Sequence, residues 1–169
     1  HQMGLADRVE IVTHETSEQL LRETDAQVVT MMCVLPHLPH PTESLRAMAE
    51  NPMTHYTFQK LPMWSLATLI EAATPHRRAR VLGQDHTNVF THKSLTWLEH
   101  SIPMERVGEW WFGQDILDLL RRAMLAGTHE FAELVRSELA LSLNNLQGAI
   151  DRERLSSELH AVWRFSTRQ

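Results

Sequence analysis

Residues 26–50 read AQVVTMMCVLPHLPHPTESLRAMAE, and this stretch decides the fold class. Its first ten residues are a nearly continuous apolar run opened by two valines, which suits a parallel strand covered by helices on both faces. Pro36, Pro39 and Pro41 then make a rigid loop, because proline lacks an N–H and restrains the residue before it. Thr42 can cap the helix that follows, ESLRAMAE, which stops before Asn51-Pro52. Upstream, RVEIVT (8–13) is β-branched and alternating, and Thr16 or Ser17 can cap a helix over SEQLLRET (17–24). The first 35 residues therefore predict β-α-β, the crossover unit of an α/β sheet.

Downstream the pattern continues. HYTFQKLP (55–62) predicts a strand with Tyr56, Phe58 and Lys60 on one face and Thr57, Gln59 and Leu61 on the other. WSLATLIEAA (64–73) has helical spacing, Thr91 can cap a helix through KSLTWLEHS, and ERVGEWW (105–111) predicts a further strand. Ile116, Leu119, Leu120 and Met124 predict one buried helical stripe, and a longer helix is expected over 129–149. ELHAVWRF (158–165) alternates as a closing strand. The expectation is a single domain over 1–169 with about five strands. An all-α regulator domain is the competing structure, since 113–150 alone would fit a helical bundle.

Composition narrows the function classes. The chain has 169 residues, 43% hydrophobic and 22% charged, enough apolar content for a packed core. A lone Cys33 cannot close an intrachain disulfide. The formal net charge of −5 predicts no nucleic-acid partner, and the short basic run His76–Arg80 fits a solvated loop or helix end. No apolar window of about 18 residues exists and HQMGLADR lacks the charged and apolar regions of a signal peptide, so neither membrane nor export is expected. The expected compartment is cytoplasmic.

The order of segments resembles the distal two-thirds of a class I S-adenosylmethionine-dependent methyltransferase. GLADRVEIV resembles the family's third strand, and Glu15 falls where an acidic residue near the adenine is usual. AQVVTMMCVLPHLPHPTESLRAMAE resembles the fourth strand and its L-x-H-L-x-x-P loop, with His37 as the loop histidine. QDHTNVFTHKSLTWLE resembles an H-x-N-x-F-T-x-x-S-L segment, with His86, Asn88, Phe90, Thr91 and Leu95 in register. EWWFGQDILDLL and LQGAIDRERLSSELHAVWRF resemble the strand, helix and closing strand that follow. The resemblance implies an α/β Rossmann-like sheet with flanking helices, here lacking the first β-α-β unit. It also departs from the family: the six glycines are isolated, so no G-x-G-x-G loop is present, and Gln27 replaces a usual aspartate. Either the chain is a fragment or it has lost cofactor binding.

What the resemblance implies chemically is S-adenosyl-L-methionine as cofactor and methyl transfer to oxygen or nitrogen of a small-molecule substrate. His37 and His86 are the expected catalytic residues, because imidazole suits proton removal near neutral pH. Glu15, Leu35 and His37 are expected at the cofactor, and Asn88 and Trp111 at the substrate. Trp111 can also be read as core, and H-T-N-V-F-T as a segment that merely shapes a turn. His37 and His40 form H-x-x-H, but the flanking prolines make helix improbable and no metal is expected. The alternative to an enzyme is a non-catalytic ligand-binding or oligomerisation module, such as the sensor domain of a regulator. A sheet without its first strands has open edges, so a homo-oligomer or a partner chain covering them is expected.

Overall fold

Thr57, Gln59 and Leu61 are all buried, and this inward row organises the molecule. The computed structural model describes residues 13–73, 86–139 and 142–166. The strand expected over 8–13, the GLADRVEIV segment and the basic run at 76–80 lie outside them, apart from Thr13. Four strands form one sheet: β1 (Val28–Met32), β2 (Tyr56–Pro62), β3 (Met104–Phe112) and β4 (Glu158–Phe165), in the order β1-β2-β4-β3. β1 and β2 are parallel, while β4 runs antiparallel to both β2 and β3. The carboxyl ends of β1, β2 and β3 therefore meet at one edge, together with the start of β4.

Cross-strand partners share a face, and Leu61 faces Leu159, Gln59 faces Ala161 and Thr57 faces Trp163. That face packs on Leu45, Ala47 and Met48 of α2 (Pro41–Glu50) and on Leu95, Leu98 and Ile102, from α4 (His92–Ser101) and its end. Each fully buried leucine contributes about 1.5–3 kcal/mol through the water it sheds. Polar groups on this face are mostly bonded: Thr57 Oγ1 donates to the Val29 carbonyl at 3.0 Å and Gln59 Nε2 donates to Thr57 Oγ1 at 2.6 Å. Glu99 ties α4 to the sheet by accepting from Arg106 at 2.7 and 3.1 Å and from the Trp163 indole at 2.8 Å. Burial pushes the Glu99 carboxyl up, but those hydrogen bonds and the Arg106 charge outweigh it and hold it below its ordinary value.

Several expectations need correction. α1 (His14–Glu23) begins after Thr13, whose N–H donates to Thr16 Oγ1 at 3.2 Å, so neither Thr16 nor Ser17 is the cap. α2 starts at Pro41 after His40, not after Thr42, because proline at the first helical position needs no N–H partner. β1 is shorter than the apolar run and is not covered on both faces: Val28 is 54% and Met32 50% exposed. The run turns at Cys33, whose φ of 56° is left-handed, and Leu35–His37 forms a single 3-10 turn.

The carboxyl-terminal helices differ most. α3 (Leu66–Ala73) and α5 (Asp115–Ala126) are present, yet Ile116, Leu119, Leu120 and Met124 are half-buried, and among the described side chains of α5 the fully buried one is Asp115. The helix expected over 129–149 is divided into α6 (His129–Leu134), a wide π-type turn over Val135–Leu139, and α7 (Leu143–Arg152). Ser137 Oγ, within that turn, donates to the Leu134 carbonyl at 3.2 Å. Leu134, just before that turn, is 58% exposed. Among the described residues, no helix is long and apolar enough to cross a membrane.

Candidate active site

The carboxyl edge is stitched together by backbone bonds from the residues just past β2. Met63 N–H donates to the Ser157 carbonyl at 2.8 Å and Trp64 N–H to the Phe90 carbonyl at 2.8 Å, with Leu66 N–H reaching Leu155 at 2.9 Å. Residues 62–66 thus form the floor between two walls, 86–90 and 155–158.

A second clasp joins the first wall to the loop after β1. Thr87 and Asn88 N–H both donate to the Pro36 carbonyl, at 3.0 and 3.1 Å, and Asn88 Nδ2 donates to the Leu38 carbonyl at 2.8 Å. These bonds bring His37 and His86, 49 positions apart, to a ring separation of 4.8 Å with planes tilted 47°. The two histidines expected to be catalytic are therefore neighbours at the edge where ligands bind in open α/β sheets.

Other expected site residues are placed differently. Leu35 is 1% exposed and belongs to the core, since it has the parity of Val29 and Met31, whose partners Thr57 and Gln59 are buried. Exposed Val34 and His37 present themselves at that edge instead. Trp111 is also core, 6% exposed and stacked on His92 at 4.8 Å, so it makes no surface for a substrate. Asn88 serves the clasp. The Glu15 side chain lies outside the described residues, although its backbone is in α1.

Beside His86 lies a cavity of about 190 Å³ that the sequence did not single out. Its lining includes four carboxylates, Glu71, Asp115, Asp118 and Glu158, with the hydroxyls of Ser65, Thr68 and Ser157. Glu71 pairs with Arg122 at 3.0 Å, Glu158 with Lys60 at 3.8 Å and Asp118 with Arg121 at 4.0 Å. Asp115 is 1% exposed and differs: its Oδ2 accepts from Ser157 N–H at 3.0 Å, Ser157 Oγ at 3.1 Å and Gln147 Nε2 at 3.4 Å. Its Oδ1 has no hydrogen-bond partner among the described residues. A signal in the sequence is that Asp115 follows closely on the strand expected over 105–111, at the same carboxyl edge as His37.

A second groove, lined by Glu99, Arg106, Glu109 and Arg154, is charge-compensated from within, since Arg106 pairs with Glu99 and Glu109 and Arg154 with Glu109. On the opposite sheet face His160 packs against Phe58, Trp110 and Phe112, and burial and the Lys60 charge hold its imidazole below its ordinary pKa.

No protein-family model and no curated protein matches the chain. Among solved structures it is similar to a protein from Galdieria sulphuraria assigned as a sarcosine dimethylglycine methyltransferase, with TM-score 0.50 and 10% identity over 99% of this chain and 63% of that one. A SAM-dependent methyltransferase from Archaeoglobus fulgidus gives TM-score 0.47 and 14% identity over 88% of this chain and 64% of that one. Another from Geobacter sulfurreducens, in complex with S-adenosyl-L-homocysteine, gives 0.44 and 17% over 96% and 66%. The chain thus spans a little under two-thirds of the length of these structures. With the four-stranded mixed sheet, the Galdieria likeness shows a Rossmann-like, methyltransferase-type fold.

Proposed function

We propose that these residues form the acceptor side of an S-adenosyl-L-methionine-dependent methyltransferase acting on oxygen or nitrogen of a small molecule. The observation that carries the reading is the His37–His86 pair, clasped at the carboxyl edge beside an acid-lined cavity. When bound, the cofactor supplies a methyl group on a sulfonium centre. The chain's own part is to hold the acceptor's lone pair in line and to take its proton, which His86 can do from the cavity wall. Val34 and His37 offer a surface to the cofactor's adenine. Ribose and methionine contacts of the glycine-loop kind would require polypeptide other than these 169 residues, whose glycines are isolated. The test is transfer of labelled methyl from S-adenosyl-L-methionine by the product of the full reading frame that encodes these residues. His86→Ala is expected to lower kcat by about 10²–10⁴-fold with little change in the cofactor's KM. Unchanged kcat would remove His86 from proton transfer, and no transfer to any hydroxyl or amine would favour a non-catalytic module.

The reading carries a partner as well. Val28, Met32, Tyr56 and the 63% exposed Trp110 lie on one sheet face, and β1 pairs only with β2 among the described residues. Parallel strands are covered on both faces in stable proteins. The isolated 169 residues are therefore expected to self-associate through this face, giving a dimer mass by light scattering at micromolar concentration. A monomer mass there would contradict it.

A further inference from the structure

We infer that Asn88 is a positioning residue, which holds the base His86 in place against the loop after β1 without itself touching the acceptor. As a statement about catalysis this rests on the methyl-transfer reading, but the positioning itself requires no cofactor. A carbonyl only accepts, so the group that meets Leu38 at 2.8 Å is the Asn88 amide nitrogen. The second proton of that nitrogen goes to Thr87 Oγ1 at 3.0 Å. Both amide protons are thereby spent within the protein, and neither is left for a substrate oxygen.

What these bonds hold is the backbone on which both imidazoles stand. The Pro36 carbonyl, in the peptide plane next to His37, accepts from Thr87 N–H at 3.0 Å and Asn88 N–H at 3.1 Å. Thr87 N–H belongs in turn to the peptide plane next to His86, so one carbonyl ties the two planes beside the two rings. Thr87 Oγ1 has a single proton for two acceptors, Pro36 at 3.0 Å and Leu38 at 3.2 Å. The Asn88 amide fills that hydroxyl's acceptor side and so turns its proton toward them. On the other side His37 N–H donates to Val34 at 3.0 Å, and Pro36 and Pro39 stiffen the turn. A stiff loop gripped at the carbonyls before and after His37 can shift that residue only by breaking a bond to Thr87 or Asn88. The far end of the wall is fixed to the floor where Trp64 N–H meets the Phe90 carbonyl. Loop and wall therefore keep one geometry, with the rings 4.8 Å apart, and Asn88 is the side chain that locks it.

Asn88→Asp tests the inference, because it keeps the shape and replaces the donor with an oxygen that repels the Leu38 carbonyl. In the chain labelled at its histidine rings, an NMR cross-peak between the rings of His37 and His86 is expected, and Asn88→Asp should weaken it severalfold. In the product of the full reading frame the same substitution should lower kcat by about 10–10²-fold, with the acceptor's KM held within about twofold. A role in stability alone would lower the unfolding midpoint and leave the cross-peak and kcat of the folded protein unchanged. A retained cross-peak, or a lost one with kcat unchanged, would overturn the inference. So would a KM that rises while kcat holds, since Asn88 would then touch the acceptor. Should Asn88→Asp fail to fold, Thr87→Val at an exposed position removes the hydroxyl that shares Leu38, and the same outcomes apply. The cross-peak needs no cofactor, so it decides whether Asn88 sets the pair even where methyl transfer is not found.

Discussion

Gly113→Ala should destabilise the fold by about 3 kcal/mol, while the same substitution at Gly148 should stabilise it by about 0.5–1 kcal/mol. A Cβ at Gly113 would lie 2.3 Å from Asp115 Oδ2, 2.8 Å from Ser157 Oγ and 3.3 Å from Ser157 N. Those atoms are the bonds that satisfy a buried carboxylate, so the methyl cannot fit without pulling Asp115 from its donors. Gly148 lies in α7, where the nearest atom to a new Cβ is Arg152 Nη1 at 3.6 Å, and alanine there gains helix propensity at no steric cost. Urea unfolding of the two variants reads both signs against a total stability of about 5–15 kcal/mol. A neutral Gly113→Ala would show that the Asp115–Ser157 contact is slack and that the cavity wall is not built as described.

The strands and the helices over the buried face were legible because their periodicity is clean. Tyr56–Pro62 alternates as a strand, but its buried side is Thr57, Gln59 and Leu61, two of them polar, so the alternation marked the element and not its inward face. Thr91 marked the start of α4 as its cap, and its Oγ1 accepts from Ser94 N–H at 3.1 Å. What periodicity could not show was where a chain leaves its period. The left-handed turn at Cys33 ends β1 early, and the wide turn after Leu134 divides a stripe that is continuous in sequence. Both are local backbone events with no glycine or proline at the turning residue to announce them.

Site residues divide along the same line. His37 and His86 were found through a resemblance of segments, but their adjacency comes from the Pro36–Thr87–Asn88 clasp, which no local pattern encodes. Trp111 could be read from its place at a strand end as a substrate contact or as core, and cross-strand pairing with Leu159 directs it inward. Asp115 stands in the first turn of a helix, where an acid has a sufficient local reason in the helix dipole, so its sequence position alone does not mark it. Its burial and its single unfilled oxygen are tertiary facts.

Calorimetric titration of S-adenosyl-L-homocysteine, into these 169 residues and into the product of the full reading frame, tests the central claim most directly. If the cofactor's ribose and methionine ends are held by a glycine-containing loop outside these residues, the isolated chain lacks several hydrogen bonds worth several kcal/mol together. Each 1.4 kcal/mol is tenfold in affinity. The account predicts low-micromolar binding by the full product and millimolar or weaker binding by the 169 residues. Binding by neither would contradict methyl transfer as the function, and low-micromolar binding to the 169 residues as a monomer would contradict the division of the cofactor site.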